Sequence, residues 1–116
     1  MVFFWKLYYN RMWLLSVKPS SRKDKRYVAT YCKCKVKNSC EGSNHKKVHF
    51  GQPDATTYVD GASEQKKDAY QARHSKSPGE NVNKPDTAGA LSWHLLWGAT
   101  RSLRENIEKF KKKFSL

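Results

Sequence analysis

Acidic residues are scarce in this chain. Its 116 residues include 23 Lys and Arg but only 10 Asp and Glu, a formal charge of +13. The first 21 residues carry no acid at all. A small protein with so little counter-charge repels itself, and a partner of opposite sign relieves that repulsion. A long apolar run is also missing. Met1 to Val17 is apolar and aromatic, but Lys6 and Arg11 interrupt it, and it falls short of the ~20 residues a membrane span needs. The same stretch has neither the clean apolar core nor the small-residue cleavage site of a secretory signal. Cysteines are few and odd in number, namely Cys32, Cys34 and Cys40. Without a signal, that argues against a disulfide framework and makes an intracellular, reducing compartment the expectation. Repeats, low-complexity tracts and catalytic motifs are lacking too, so the expectation is a protein that is not an enzyme and needs no cofactor.

What is there is charge in blocks. Residues 22–50 hold nine basic and two acidic groups, residues 51–100 five and six, and residues 101–116 six and two. A near-neutral centre lies between basic ends. The length allows one domain. Hydrophobic content is low at 38%, yet four Trp, six Tyr and five Phe argue against disorder. The expected organisation is an aromatic arm and linker over residues 1–21, followed by a small α+β domain over residues 22–116. The arm reads as an amphipathic helix whose face of Trp5, Tyr8, Tyr9, Met12 and Trp13 docks on a protein neighbour, ahead of contact with a membrane surface.

Tyr27 to Val36 alternates with period two and reads as a strand. Val28, Thr30, Cys32, Cys34 and Val36 are expected on its core face, with Lys33, Lys35 and Lys37 on a wet, basic one. A turn over Asn38 to Asn44 leads to a second strand over Lys46 to Phe50, which completes a β-hairpin. Ser63 is placed to cap a helix that runs to His74. Thr87 is placed to cap a short helix that Gly98 ends, and Thr100 to cap the last one. In that last helix Leu103, Ile107, Phe110 and Phe114 recur at helical spacing. The fold expected is a basic hairpin packed on two or three short helices.

Several short segments occur in a recognisable order: Val48-His49-Phe50-Gly51, Tyr58, Tyr70 with Arg73-His74, Thr87-Ala88-Gly89, and Trp93-His94-Leu95-Leu96-Trp97. Over roughly residues 26–114 this order resembles a family of small, basic, functionally uncharacterised proteins encoded largely by large DNA viruses and phages. The resemblance implies a virion-associated or nucleic-acid-associated setting. This chain departs from the family pattern at Gly61, where a His is usual, and at Ser63, where an Asp is usual. Any reactive or metal pair made by that His and Asp would be lost here.

Three groups of residues are candidates for chemistry. Cys32, Cys34, Cys40, His45 and His49 have zinc-type side chains, but their spacing is not that of a standard finger. Small core thiols are the preferred reading, with no metal. His49, His74 and His94 with Asp60 or Asp68 would make a hydrolytic site only if the fold gathered them. Phe50, Trp93 and Trp97 are suited to stacking on bases or to filling a core, and the core is preferred. The basic clusters carry the strongest signal. Arg22, Lys23, Lys25, Arg26, Lys33, Lys35, Lys37, Lys46 and Lys47 would form one patch across the hairpin. Like charges so gathered repel, and nucleic-acid phosphates would neutralise them.

The function expected is thus a non-enzymatic structural protein of a large nucleoprotein or viral assembly. It would bind DNA or RNA backbone through the hairpin and dock on protein neighbours through Trp5, Tyr8, Tyr9, Trp13 and Phe114. A minor capsid or scaffold protein, a ribosome-associated rRNA-binding protein and a small metal-dependent nuclease are the alternatives, and the virion is a possible location.

Overall fold

A computed structural model describes residues 11–34, 44–75 and 82–116. Three antiparallel strands form one sheet in the order β1-β2-β3: β1 is Arg11–Pro19, β2 Tyr27–Cys34 and β3 His45–Phe50. Three helices follow: α1 is Glu64–Ser75, α2 Ala88–Leu91 and α3 Leu103–Phe114. A π-helical turn, Ser92–Leu96, continues α2. The α+β architecture expected from the sequence is the one observed.

The strand β1 lies inside the stretch expected to be arm and linker. It pairs with β2 from Arg11↔Cys34 to Pro19↔Tyr27, with a bulge between Leu14 and Ser16. Leu14 is 3% exposed. Residues 11–19 are therefore sheet, not docking helix; the sheet satisfies their backbone groups and buries Leu14, gains that an isolated helix lacks. Trp5, Tyr8 and Tyr9 lie outside the described residues.

One face of the sheet meets the helices. Met12, Leu14 and Val17 of β1, Tyr27, Ala29 and Tyr31 of β2, and Val48 and Phe50 of β3 belong to the core. Across it stand Leu91, Leu95, Leu96, Phe110 and Leu116, with Trp97, Leu103, Ile107 and Phe114 packed around them. The core face of β2 is thus the Ala29–Tyr31 set and not the expected Val28–Thr30 set. Tyr31 can be buried because its hydroxyl donates to Pro85 O at 2.6 Å. Burial also pushes the Tyr31 phenol well above its usual range. Cys32 and Cys34 are buried as well, on the opposite face, with Sγ atoms 3.4 Å apart. That distance exceeds the ~2.05 Å of a bond between them. Their burial is as expected from the sequence, but it lies on the face away from the helices. Val36 and Cys40 lie outside the described residues.

The helices start where the sequence places polar caps, with one shift. Ser63 Oγ accepts from Lys66 N, and Thr87 Oγ1 from Ala90 N. For α3 the cap is Ser102, whose Oγ accepts from Glu105 N at 3.2 Å, and not Thr100. The hydroxyl of Thr100 instead donates to Asn106 Oδ1 at 2.8 Å. At its far end, α3 stops on Ser115 in the left-handed region (φ 55°), and Leu116 N donates to Lys111 O. Gly98 leaves the π turn so closely that a Cβ there would sit 2.0 Å from His94 O, so no other residue fits.

Candidate polyanion-binding site

The nine expected patch cations do not share one surface. Residue pairing across β2 and β3 puts Tyr31 opposite Lys46 and Thr30 opposite Lys47, so Lys46 and Lys47 point to opposite faces. Lys33 follows the parity of Tyr31 and is exposed beyond the core. Lys35 and Lys37 lie outside the described residues. Three of the nine are held by carboxylates. Arg22 bonds Asp24 through two nitrogens at 2.9 and 2.6 Å. Arg26 makes a bidentate pair with Asp60. Lys46 reaches Asp86 at 2.8 Å.

These pairs brace loops. Asp60 Oδ2 also accepts from Thr57 N and Thr57 Oγ1, so Arg26 ties β2 to the turn before α1. The Arg26 guanidinium holds the Asp60 carboxyl far below the usual carboxylate range, and the Thr57 bonds add to this. Lys46 lowers Asp86 in the same way, and beside it Tyr31 holds Pro85. The segment leading into α2 is thus latched to the sheet twice. Gly61 takes φ 109° in the turn and Ser63 caps α1, so the two positions where the family pattern has His and Asp serve the backbone here.

The histidines are dispersed. His49 Nδ1 lies 2.7 Å from Ser20 Oγ, His74 stacks on Tyr70, and His94 Nε2 lies 2.7 Å from Val82 O. Among the described residues no three His, Cys, Asp or Glu side chains gather to hold a metal ion. The hydrolytic set imagined from the sequence is not assembled. No described helix is long and apolar enough to cross a membrane.

Two cavities flank α1, and both are basic. The first, about 530 Å³, lies between the end of β3, α1 and α2. Lys25, Arg73 and His74 line it, with Tyr70 and Trp97 as an aromatic wall. Tyr70 stacks on Trp97 at 4.5 Å and 10°, and on His74 at 4.1 Å and 28°. The segments quoted above converge here: Gly51, Tyr70, Arg73, His74, Ala88, Gly89 and Trp97 all line this cavity. At its rim Gly51 has φ 84°, and a Cβ would stand 3.0 Å from Leu96 Cδ1. The second cavity, about 360 Å³, opens between α1, the π turn and α3. Its cations are Lys67, Lys109 and Lys113, and Trp93 forms a wall. No described carboxylate lines either cavity.

The π turn creates this division. Trp97 N donates to Ser92 O, five residues back. In that wider turn, residues four apart no longer align, so Trp93 and Trp97 enter different cavities. Gln71 of α1 fastens both, donating to Trp97 O at 2.7 Å and accepting from Trp93 Nε1 at 3.4 Å. Of the stacking candidates, Phe50 alone is fully in the core. Among the docking candidates, Trp13 lies on the sheet face away from the helices, its Nε1 donating to Cys34 O and Arg11 stacked on its ring at 4.0 Å. Phe114 packs on Phe110 and His94. In the sequence Lys113 reads only as a last-turn cation that suits the helix dipole, and nothing there joins it and Lys109 to Lys67 of α1.

These features define a small basic sheet-and-helix module with two cationic cavities. The chain belongs to the family described as "Family of unknown function (DUF5754)", which matches residues 15–74. It is 33% identical over 87 residues to an uncharacterized protein of Acanthamoeba polyphaga mimivirus, an alignment that covers 72% of this chain and 80% of that one. A viral relative agrees with the viral family that the order of segments resembles. No solved structure matches the chain.

Proposed function

We propose that this chain is a non-enzymatic structural protein that binds the phosphate backbone of nucleic acid in a viral or other nucleoprotein assembly. In this reading it works inside the cell or in the virion, among protein neighbours. Its family is then one of large DNA viruses and phages. The observation that carries the reading is the second cavity, where Lys67, Lys109 and Lys113 meet with no described carboxylate in the lining. Exposed Lys23, Lys33 and Lys47 add charge at the hairpin, Lys33 and Lys47 on opposite faces of the sheet. Backbone contacts of this kind are largely independent of sequence and weaken steeply with salt, because each one releases a counterion.

The test is binding of the full chain to random duplex DNA and to structured RNA across a salt series. The expected result is an affinity that falls steeply with salt and weakens further when Lys23, Lys25, Lys33 and Lys47 are neutralised together. Weak binding to both at ~0.15 M salt would overturn the reading. A protein scaffold is the second reading, favoured by Trp13 on the sheet face away from the helices. It expects assembly contacts that Trp13→Ala weakens and salt barely changes.

A further inference from the structure

Backbone contact asks only for exposed cations, and the groove between α1 and α3 holds more than that. Lys67 of α1 shares it with Lys109 and Lys113 of α3. Lys109 and Lys113 stand four residues apart on one helix, where like charges destabilise it. An anion in the groove removes that penalty.

The wall between these cations is Trp93, half-buried, with its indole N–H on Gln71 O. His94 meets it edge-on, at 4.8 Å and 67°. No described ring lies parallel to Trp93, whereas Trp97 is already covered by Tyr70. A tryptophan face bordered by ammonium groups matches the two halves of a nucleotide, the π-face of a base and the charge of its phosphates. A cavity of about 360 Å³ is within the range of small-ligand sites. Bases in a duplex keep their faces inside the stack, so only an unpaired strand can offer one. An acidic peptide would meet the lysines and leave the indole unused.

We infer that this groove binds single-stranded nucleic acid, one base stacking on Trp93 and the flanking phosphates meeting Lys67, Lys109 and Lys113. The inference rests on the nucleic-acid reading above and adds to it a site and a preference for unpaired strands.

The test titrates the full chain with oligothymidylate, with random duplex DNA and with polyglutamate, following tryptophan fluorescence and anisotropy. Oligothymidylate is expected to bind ~10-fold more tightly than duplex and to quench the fluorescence. Trp93→Phe keeps a ring in the wall and should abolish the quench. Lys109→Ala with Lys113→Ala should weaken oligothymidylate binding ~10-fold with no fall in melting temperature, since both side chains are exposed. Equal, unquenched binding of single strand and duplex would overturn this inference and leave backbone binding standing. Polyglutamate competing as well as oligothymidylate would also overturn it, and mark the groove as a seat for an acidic protein. No binding to either nucleic acid would overturn both readings.

Discussion

Asn106 is 2% exposed, and its amide is fully used: Nδ2 donates to Leu95 O and Thr100 O, and Oδ1 accepts from Thr100 N and Thr100 Oγ1. One side chain thus locks α3, the π turn and the loop between them. Asn106→Ala strands two carbonyls and an amide in the interior, each costing about 1–3 kcal/mol when left unmade. We expect a loss of about 3 kcal/mol, read from the denaturation midpoint; a change within ~0.5 kcal/mol, the range of ordinary surface substitutions, would deny the lock. Nothing in the sequence marks Asn106, because a lone polar residue in an amphipathic helix reads as surface. His94 is a second residue-scale case. Burial lowers its pKa, and Lys113 nearby lowers it further, against the bond to Val82 O. The unfolded chain therefore takes up a proton near pH 6.5 that the folded one still refuses. Stability is fully present above that pH and is lost as pH falls toward the folded value. Melting temperatures between pH 7.5 and pH 5 should fall, and should fall less in His94→Gln, whose amide can still reach Val82 O. Asp60 and Asp86, both lowered, lose their contribution only below the carboxylate range near pH 4.

At the scale of elements, β1 decides whether residues 11–19 are part of the domain. Leu14 stands opposite Tyr31 and is buried against the core. Leu14→Ala should cost about 2–5 kcal/mol, the range for emptying a core leucine site. A docking arm would show almost no loss in the same denaturation measurement. The strand was hidden because its alternation is broken by the bulge after Leu14 and because aromatic, apolar residues crowd both parities. The hairpin, α1 and α3 were legible: period two, Ser63 before a polar helix, and the Leu103–Ile107–Phe110–Phe114 stripe each point one way. The core parity of β2 was not, since Val28 and Cys32 look apolar beside a tyrosine whose partner, Pro85, is 54 residues away. The π turn was equally invisible. Leu91 to Trp97 reads as ordinary helix, and only the wider turn sends the two tryptophans into separate cavities.

For the whole molecule, a net charge of +13 states how much charge there is but not where it is usable. The charge excess was plain from composition, and the expected patch came from reading lysines along one hairpin. Tertiary structure changes the pattern in two ways. It pairs Arg22, Arg26 and Lys46 with acids distant or near in sequence, and it brings Lys67 beside Lys109 and Lys113 from another helix. Long-range placement of this kind leaves no local trace. It does leave a trace in salt dependence. Deleting a cation that touches one phosphate should reduce the slope of log affinity against log salt by about one. On a single strand each contact contributes about 0.7, so Lys109→Ala with Lys113→Ala should flatten the slope by about 1.4 if both touch the strand. Removing the pair Arg22 and Asp24 together, as serines, leaves the net charge unchanged and removes a cation already satisfied. That double variant should keep the slope of the native chain. If the Arg22–Asp24 variant instead flattened the slope as much as the lysine pair, phosphate would be outcompeting Asp24 for Arg22, and the binding surface would run along the hairpin and not across the helices.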